Sequence, residues 1–249
     1  SCWRRRGHSA LRAQPWDVLF GGNKDPVDVP CRTEEVAEKL QDVMLTAIEK
    51  AYPQIDIDLP LGVRLGVEGP VDPLAWSASK ELSKEDESRA DRDAAAAFVL
   101  MFDGLKNAVN LVLLFRTEAL AKKAKLAWGD CGKVRCTAFP SEKAMQENAK
   151  AMQDPMLGMY KAIANRPFVV AVAPRARQLK LLQELCAKED LKMILIMLNA
   201  RLRCLSEPDE VKVAMAASSN PVFSCRLLGP PVDGEQGLLY RSMGEPWVA

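Results

Sequence analysis

Phe168-Val-Val-Ala-Val172 and Met193-Ile-Leu-Ile-Met-Leu198 are two continuous apolar runs, and an amphipathic stretch from about Arg175 to Cys186 joins them. A run without a polar face is typical of a parallel strand that helices cover on both faces. The amphipathic stretch predicts the helix between the two strands. We therefore expect strand, turn, helix and strand in this order, which is the repeating unit of α/β proteins.

The same alternation continues towards the N-terminus. Predicted strands lie at 109–115 and 134–138, and the helices that follow them begin behind the N-cap residues Thr117 and Ser141. Because strand-helix-strand connections are right-handed and return to a parallel neighbour, the sequence predicts a doubly wound, mostly parallel sheet with helices on both faces.

Before these units, residues 33–51 predict an amphipathic helix that Thr33 caps. Ile55 and Ile57 then alternate with Asp56 and Asp58, a pattern that is typical of a half-buried strand. The two carboxylates lie two positions apart and therefore on one face, where they could hold a cation. We expect them to be exposed to solvent instead.

Further elements complete the domain. A strand is predicted at 63–67 and a helix from Ser83 to about Phe102. The C-terminal stretches predict a small antiparallel edge of the sheet; they are Val222 to Leu227, Leu238 to Arg241 and Trp247-Val248. We expect a single α/β domain over residues 30–249, preceded by an extended arm over residues 1–29.

Charge and hydropathy exclude several classes of protein. The 34 Lys and Arg residues nearly cancel the 33 Asp and Glu residues, so the chain lacks the positive excess of a nucleic-acid binder. No apolar run approaches the roughly 20 residues that cross a bilayer. No nucleic-acid partner and no membrane span are expected.

Nothing in the chain predicts a catalytic site, a metal or a cofactor. The seven cysteines are scattered, and Cys131 and Cys136 have only His8, far away in sequence, to complete a zinc site. No phosphate-binding glycine loop or dinucleotide fingerprint occurs. An enzymatic activity is therefore the less favoured interpretation.

The arm carries the candidate partner-binding residues. Prolines and glycines make regular structure improbable there, while apolar side chains still favour burial, either over the chain's own domain or in another protein. These anchors are Trp16, Leu19 and Phe20, with Arg4, Arg5 and Arg6 as electrostatic contacts. A solvated tail is the alternative interpretation of the basic segment.

Four stretches resemble a plastid family known as a domain of unknown function, which includes the Low PSII Accumulation proteins and a domain attached to some chloroplast adenylate kinases. They are Pro30 to Ala51 with Val63-Arg-Leu-Gly-Val67, Val169 to Arg175, Leu195 to Leu202, and Gly237 to Arg241 with Pro246-Trp247. The resemblance covers residues 30–249 but not the arm, and an insertion from Glu68 to Ser83 departs from it. It brings no catalytic residues.

The resemblance implies a chloroplast protein on the stromal side of the thylakoid membrane. The expected function is that of a non-catalytic accessory protein that docks on a photosystem, as a peripheral subunit or an assembly factor. Its expected partners are photosystem core proteins or assembly intermediates, with peripheral contact to the thylakoid membrane.

The alternative function is that of a small-molecule enzyme or a sensor for a phosphorylated ligand. In doubly wound sheets ligands bind beyond the carboxyl ends of the strands, where helix N-termini offer N–H groups to anions. The candidate anion-binding residues at these ends are Arg116, Thr117, Ser141, Arg175 and Asn199. Thr117 and Ser141 are equally explained as helix N-caps, and the arginines as solvated side chains.

Overall fold

The computed structural model describes residues 33–59, 91–99 except 97, 111–128, 134–187, 192–203, 209–232 and 235–245. The strands in these ranges are β1 Gln54–Asp58, β2 Leu111–Phe115, β3 Arg135–Ala138, β4 Phe168–Val172, β5 Ile194–Leu198, β6 Asn220–Val232 and β7 Glu235–Ser242. The helices are α1 Thr33–Glu49, α2 Glu118–Trp128, α3 Glu142–Lys150, α4 Leu157–Ile163, α5 Ala176–Cys186 and α6 Glu210–Ser218. Residues 91–96 and 98–99 are also helical, and we call them the Asp91 helix.

The strands form one sheet in the order β3-β2-β4-β5-β1-β6-β7. Every neighbouring pair from β3 to β6 is parallel, whereas β6 and β7 are antiparallel. The predicted α/β class, with a mostly parallel sheet and an antiparallel C-terminal edge, is confirmed. From β2 the chain moves to β3, towards one edge of the sheet, and from β4 it moves to β5, towards the other edge. Its direction across the sheet therefore reverses between the neighbouring strands β2 and β4.

Helices cover both faces of the sheet, as predicted. α1, the Asp91 helix and α2 pack on one face, and α4, α5 and α6 pack on the other. In β2, Leu113 faces the first layer while Val112 and Leu114 face the second, and all three are fully buried. A strand between two apolar layers needs apolar side chains on both faces, which explains the continuous apolar runs in the sequence.

The prediction of a half-buried β1 was wrong. β1 lies between β5 and β6 inside the sheet, and its residues from Ile55 to Asp58 are all buried. Ile55 and Ile57 pack against the α1 layer, so Asp56 and Asp58 face the other side, each about 3% exposed. Because β1 is a central strand, neither of its faces reaches solvent, and the two carboxylates are not exposed as predicted.

The helix α4 was not predicted from the sequence. α4 is only seven residues long, and its N-cap residue Met156 makes no side-chain cap. Instead the Met156 N–H donates to Asp154 Oδ1 at 2.8 Å. Met156 and Met159 are buried in the second layer, so these methionines belong to the core.

Some predicted elements lie outside the described residues: the arm at 1–29, the strand at 63–67, the first and last parts of the helix at 83–102, and Trp247-Val248. Among the described helices, none combines the length and the apolar composition that a bilayer crossing requires.

The C-terminal hairpin of β6 and β7 packs against α1. Tyr240 of β7 is buried and packs edge-on against Phe223 of β6, with ring centroids 5.8 Å apart. Lys39 Nζ of α1 lies 5.4 Å from the centre of the Tyr240 ring and 3.8 Å from Glu245 Oε1. Burial, then the charge of Glu245, raises the pKa of Tyr240 well above its usual range. The phenol therefore stays neutral in the folded protein.

Candidate functional site

Polar side chains gather in two regions towards the carboxyl edge of the parallel sheet. One region, the β1/β5 cluster, surrounds the carboxyl-terminal halves of β1 and β5; its members are Asp56, Asp58, Asp91, Asn199, Arg201 and Arg203. The other region, the β2/β4 edge, follows β2, β3 and β4; its members are Arg116, Thr117, Ser141, Arg175 and Arg177. The two regions use their polar groups in different ways.

Asn199 is the centre of the β1/β5 cluster. Its side-chain Oδ1 accepts a hydrogen bond from the Leu59 N–H at 2.8 Å, and its Nδ2 donates to Asp91 Oδ1 at 3.1 Å. Its own N–H donates to the Ile57 carbonyl at 2.7 Å. The residue has a left-handed φ of 55°, which asparagine tolerates better than most residues. One buried amide thus joins the end of β1, the end of β5 and the Asp91 helix.

The chain that follows Asn199 folds back onto β1. The Arg201 N–H donates to Asp58 Oδ1 at 3.0 Å, and its guanidinium Nη2 lies 3.6 Å from Asp91 Oδ1. Arg201 has a left-handed φ of 52°, the second such residue in this short segment. Holding a residue that is neither Gly nor Asn in this region costs about 1 kcal/mol, which the bond to Asp58 offsets.

Arg203 connects the middle of β1 to α6. Its Nη1 donates to Asp56 Oδ2, and its Nη2 donates to the carbonyls of Ala216 at 2.6 Å and Ser219 at 3.3 Å. The last carbonyls of a helix have no partner within the helix and carry partial negative charge. The Arg203 guanidinium therefore pairs with the buried Asp56 carboxylate and also with the carbonyls at the end of α6.

At the β2/β4 edge, the hydroxyl groups act as helix caps. Thr117 Oγ1 accepts from the Leu120 N–H at 3.3 Å, and Ser141 Oγ accepts from the Ala144 N–H at 3.1 Å. The predicted N-cap roles of both residues are confirmed. Both remain exposed, and each hydroxyl keeps its own O–H for another acceptor.

Two arginines lie at the start of α5, beside the end of β4. Arg175 is exposed, and its backbone N–H donates to Gln178 Oε1 at 3.2 Å. Arg177 Nη2 donates to the Pro140 carbonyl at 3.0 Å, and its Nε lies 3.7 Å from Glu142 Oε1. Arg177 therefore ties the start of α5 to the start of α3 and brings the ends of β3 and β4 into one region.

The predicted anion-binding residues are divided between the two regions. Arg116, Thr117, Ser141 and Arg175 follow the adjacent strands β2, β3 and β4, where Arg116 is partly exposed and the other three are exposed. Asn199 follows β5, the next strand of the sheet, and differs from them in being buried in the β1/β5 cluster with both ends of its amide in use. The predicted partner-binding residues Arg4, Arg5, Arg6, Trp16, Leu19 and Phe20 lie outside the described residues.

Sequence reasoning missed Asp91, Arg177, Arg201 and Arg203. The sequence did contain one signal, which is the pair of carboxylates Asp56 and Asp58 between apolar residues of one strand. Buried charges in proteins are paired, so these carboxylates indicate that cations lie nearby. A search for cations beside another strand would have found Arg201 and Arg203, directly after β5.

Two of the described cysteines, Cys186 and Cys225, are poor candidates for a nucleophile. Burial raises the pKa of the Cys186 thiol to about 11 and that of Cys225 to about 12, so both stay protonated at neutral pH. Across the described ranges, no group of three or more His, Cys, Asp or Glu side chains is placed to hold a metal ion.

The chain belongs to a protein family. The family model described as a domain of unknown function, DUF1995, matches residues 30–249. The description of this family names no activity. No curated protein matches the chain, and no solved structure matches it either.

Proposed function

We propose that this protein is a non-catalytic accessory protein of the chloroplast. It docks on the stromal face of a photosystem, as a peripheral subunit or as an assembly factor. The location rests on the four stretches that resemble the Low PSII Accumulation proteins, and membership of the uncharacterised family over 30–249 is consistent with it.

The β1/β5 cluster is the observation that carries the non-catalytic part of the proposal. Enzymes with doubly wound sheets use polar side chains at the carboxyl ends of their strands to bind substrates. Here Asn199, Asp58 and Arg203 form hydrogen bonds within the protein instead. These side chains hold the loop after β5 in place, which is the role expected of a rigid scaffold.

The arm is the proposed contact with the photosystem. Trp16, Leu19 and Phe20 are its apolar anchors, and Arg4 to Arg6 add electrostatic attraction that salt weakens. Deleting residues 1–29 should reduce association with thylakoid complexes while the domain stays folded, as measured by circular dichroism. Unchanged association of the truncated chain would remove the arm from the proposal.

Native fractionation of solubilised thylakoids, with mass spectrometry of each band, tests the location. Stoichiometric recovery with a mature photosystem would identify a peripheral subunit, and recovery only in smaller precursor bands would identify an assembly factor. Absence from every photosystem band would overturn the proposal and favour the second candidate.

The second candidate function is binding of a phosphorylated ligand at the β2/β4 edge. The chain reverses its direction across the sheet between β2 and β4, and such switch points are where doubly wound proteins bind ligands. Thr117 follows β2 and the exposed Arg175 follows β4 at this point. The starts of α2 and α5 add N–H groups that favour an anion.

Thermal unfolding with inorganic phosphate or a nucleotide tests this candidate. Bound ligand stabilises the folded state, so the unfolding temperature should rise, and Arg175→Ala should abolish the rise. Lys180→Ala is the control, because Lys180 is an exposed cation of the same helix. No rise for the unchanged protein, or an equal rise for the Arg175 variant, would remove this candidate.

A further inference from the structure

The outer face of α2 combines positive charge with one prominent apolar side chain. Ala121 and Ala124 are buried against the sheet, so the opposite side of the helix faces solvent. Lys122, Lys123 and Lys125 are exposed there. Leu126 lies among them and is 85% exposed. We call these four residues the α2 face.

Helix geometry places Leu126 in the middle of the α2 face. Residues three and four positions apart are neighbours on a helix surface, so Lys123 and Lys122 both flank Leu126. Ala119, two turns before Leu126, is exposed on the same side, and its short side chain does not cover Leu126. Glu118, in the first turn, is the single acidic residue of the helix.

The other large apolar side chains that the described ranges leave exposed have different surroundings. Val213 of α6 follows Asp209 and Glu210 by four and three residues, and Leu45 of α1 lies near Asp42 and Glu49. Met152, 98% exposed, lies two residues after Lys150 and two residues before Asp154. Among the exposed large apolar residues that the structure describes, only Leu126 therefore has lysines three and four positions away.

We propose that the α2 face binds the surface of an anionic lipid bilayer. Leu126 enters the boundary between head groups and acyl chains, while the long lysine side chains keep their ammonium groups at the level of the lipid phosphates. Negative head groups attract each lysine near the surface. A fluid lipid surface can match any arrangement of three flexible cations, whereas a protein surface would have to hold an acidic group opposite each one.

This inference goes beyond the proposed docking on a photosystem and does not depend on it. A protein can bind a lipid surface without binding a photosystem, and the reverse also holds. The test therefore uses vesicles and the purified full chain, with no photosystem present.

Vesicle flotation is the test. The full chain should float with vesicles of phosphatidylcholine mixed with phosphatidylglycerol, and not with vesicles of phosphatidylcholine alone. Raising the salt concentration should weaken binding, because it screens the attraction of lysines to lipid phosphates. Lys122→Gln and Lys125→Gln should each weaken binding about fivefold, and Leu126→Asp should weaken it further.

Val213→Asp is the matched control, since it also places an acid at an exposed apolar position of a helix. It should bind the mixed vesicles as the unchanged chain does. Circular dichroism checks that each variant folds. If Leu126→Asp does not fold, the two lysine variants still test the proposal.

Two results would overturn the proposal. The first is failure of the unchanged chain to float with the mixed vesicles. The second is full binding by the Lys122 and Lys125 variants, which would assign vesicle binding to another part of the chain, such as the arginines of the arm.

Discussion

The β1/β5 cluster and the β2/β4 edge lie along the same edge of one sheet, yet their polar groups have different surroundings. In the cluster, Asn199 and Asp58 are buried and bonded to distant parts of the chain. At the β2/β4 edge, Ser141 and Thr117 are exposed, and each accepts a hydrogen bond from the first turn of its own helix. One region joins distant parts of the chain, and the other leaves several polar side chains exposed to solvent.

The difference teaches that position at the carboxyl edge does not by itself make a residue functional. Asn199 follows a parallel strand just as Arg175 does, and the sequence alone places them in one candidate site. The structure separates them by burial and by the span of their contacts. Substitutions in the β1/β5 cluster should therefore lower the free energy of unfolding much more than substitutions at the β2/β4 edge.

Arg203→Met should give the largest loss of stability. The substitution leaves Asp56 buried at 3% exposure without its cation, and removing one partner of a buried pair costs about 3 kcal/mol or more. Urea unfolding followed by circular dichroism measures the loss. The double variant Asp56→Leu with Arg203→Met should recover much of it, because two apolar side chains leave no unpaired charge.

Asn199→Ala should have the next largest effect. It removes the acceptor for the Leu59 N–H and the donor to Asp91, and unsatisfied buried groups cost about 1–3 kcal/mol. Asn165→Ala is the matched control, because Asn165 also has a left-handed φ, of 60°, but is exposed. We expect Asn199→Ala to lose about 2 kcal/mol more than the control. Equal losses would mean that only backbone conformation matters at Asn199.

Ser141→Ala should have a moderate effect at the β2/β4 edge. It removes the side-chain acceptor for the Ala144 N–H, and the loss of an N-cap costs about 1 kcal/mol. Ser141→Asp should retain the stability of the unchanged protein, because aspartate accepts the same bond and carries the charge that a helix N-terminus favours. Thermal unfolding of the two variants tests this prediction. A loss as large as that of Asn199→Ala would erase the contrast between the regions.

Arg175→Ala should have the smallest effect, within about 0.5 kcal/mol, because exposed surface positions contribute little to stability. The hydrogen bond to Gln178 uses the backbone N–H of residue 175, which alanine retains. Chemical denaturation measures the difference. A loss above 1 kcal/mol would show that the side chain at residue 175 is structural.

The sequence predicted most of the fold because local patterns determine it. The strand predicted at 168–172 is β4, and the capping roles of Thr117 and Ser141 follow from residues three positions away. The burial of Asp56 was not predictable in this way, because its partner Arg203 lies 147 positions along the chain. The buried contacts of Asn199 were not predictable for the same reason, since its partners Leu59 and Asp91 are 140 and 108 positions away.

Amide hydrogen exchange on the native protein, followed residue by residue by NMR, tests the central contrast most directly. The Leu59 and Arg201 amides, bonded to Asn199 and Asp58, should exchange only when the whole protein unfolds. The Leu120 and Ala144 amides, bonded to exposed caps, should exchange much faster through local opening. If Leu59 and Arg201 exchange as fast as Leu120 and Ala144, the β1/β5 cluster does not stabilise the fold and the account is wrong.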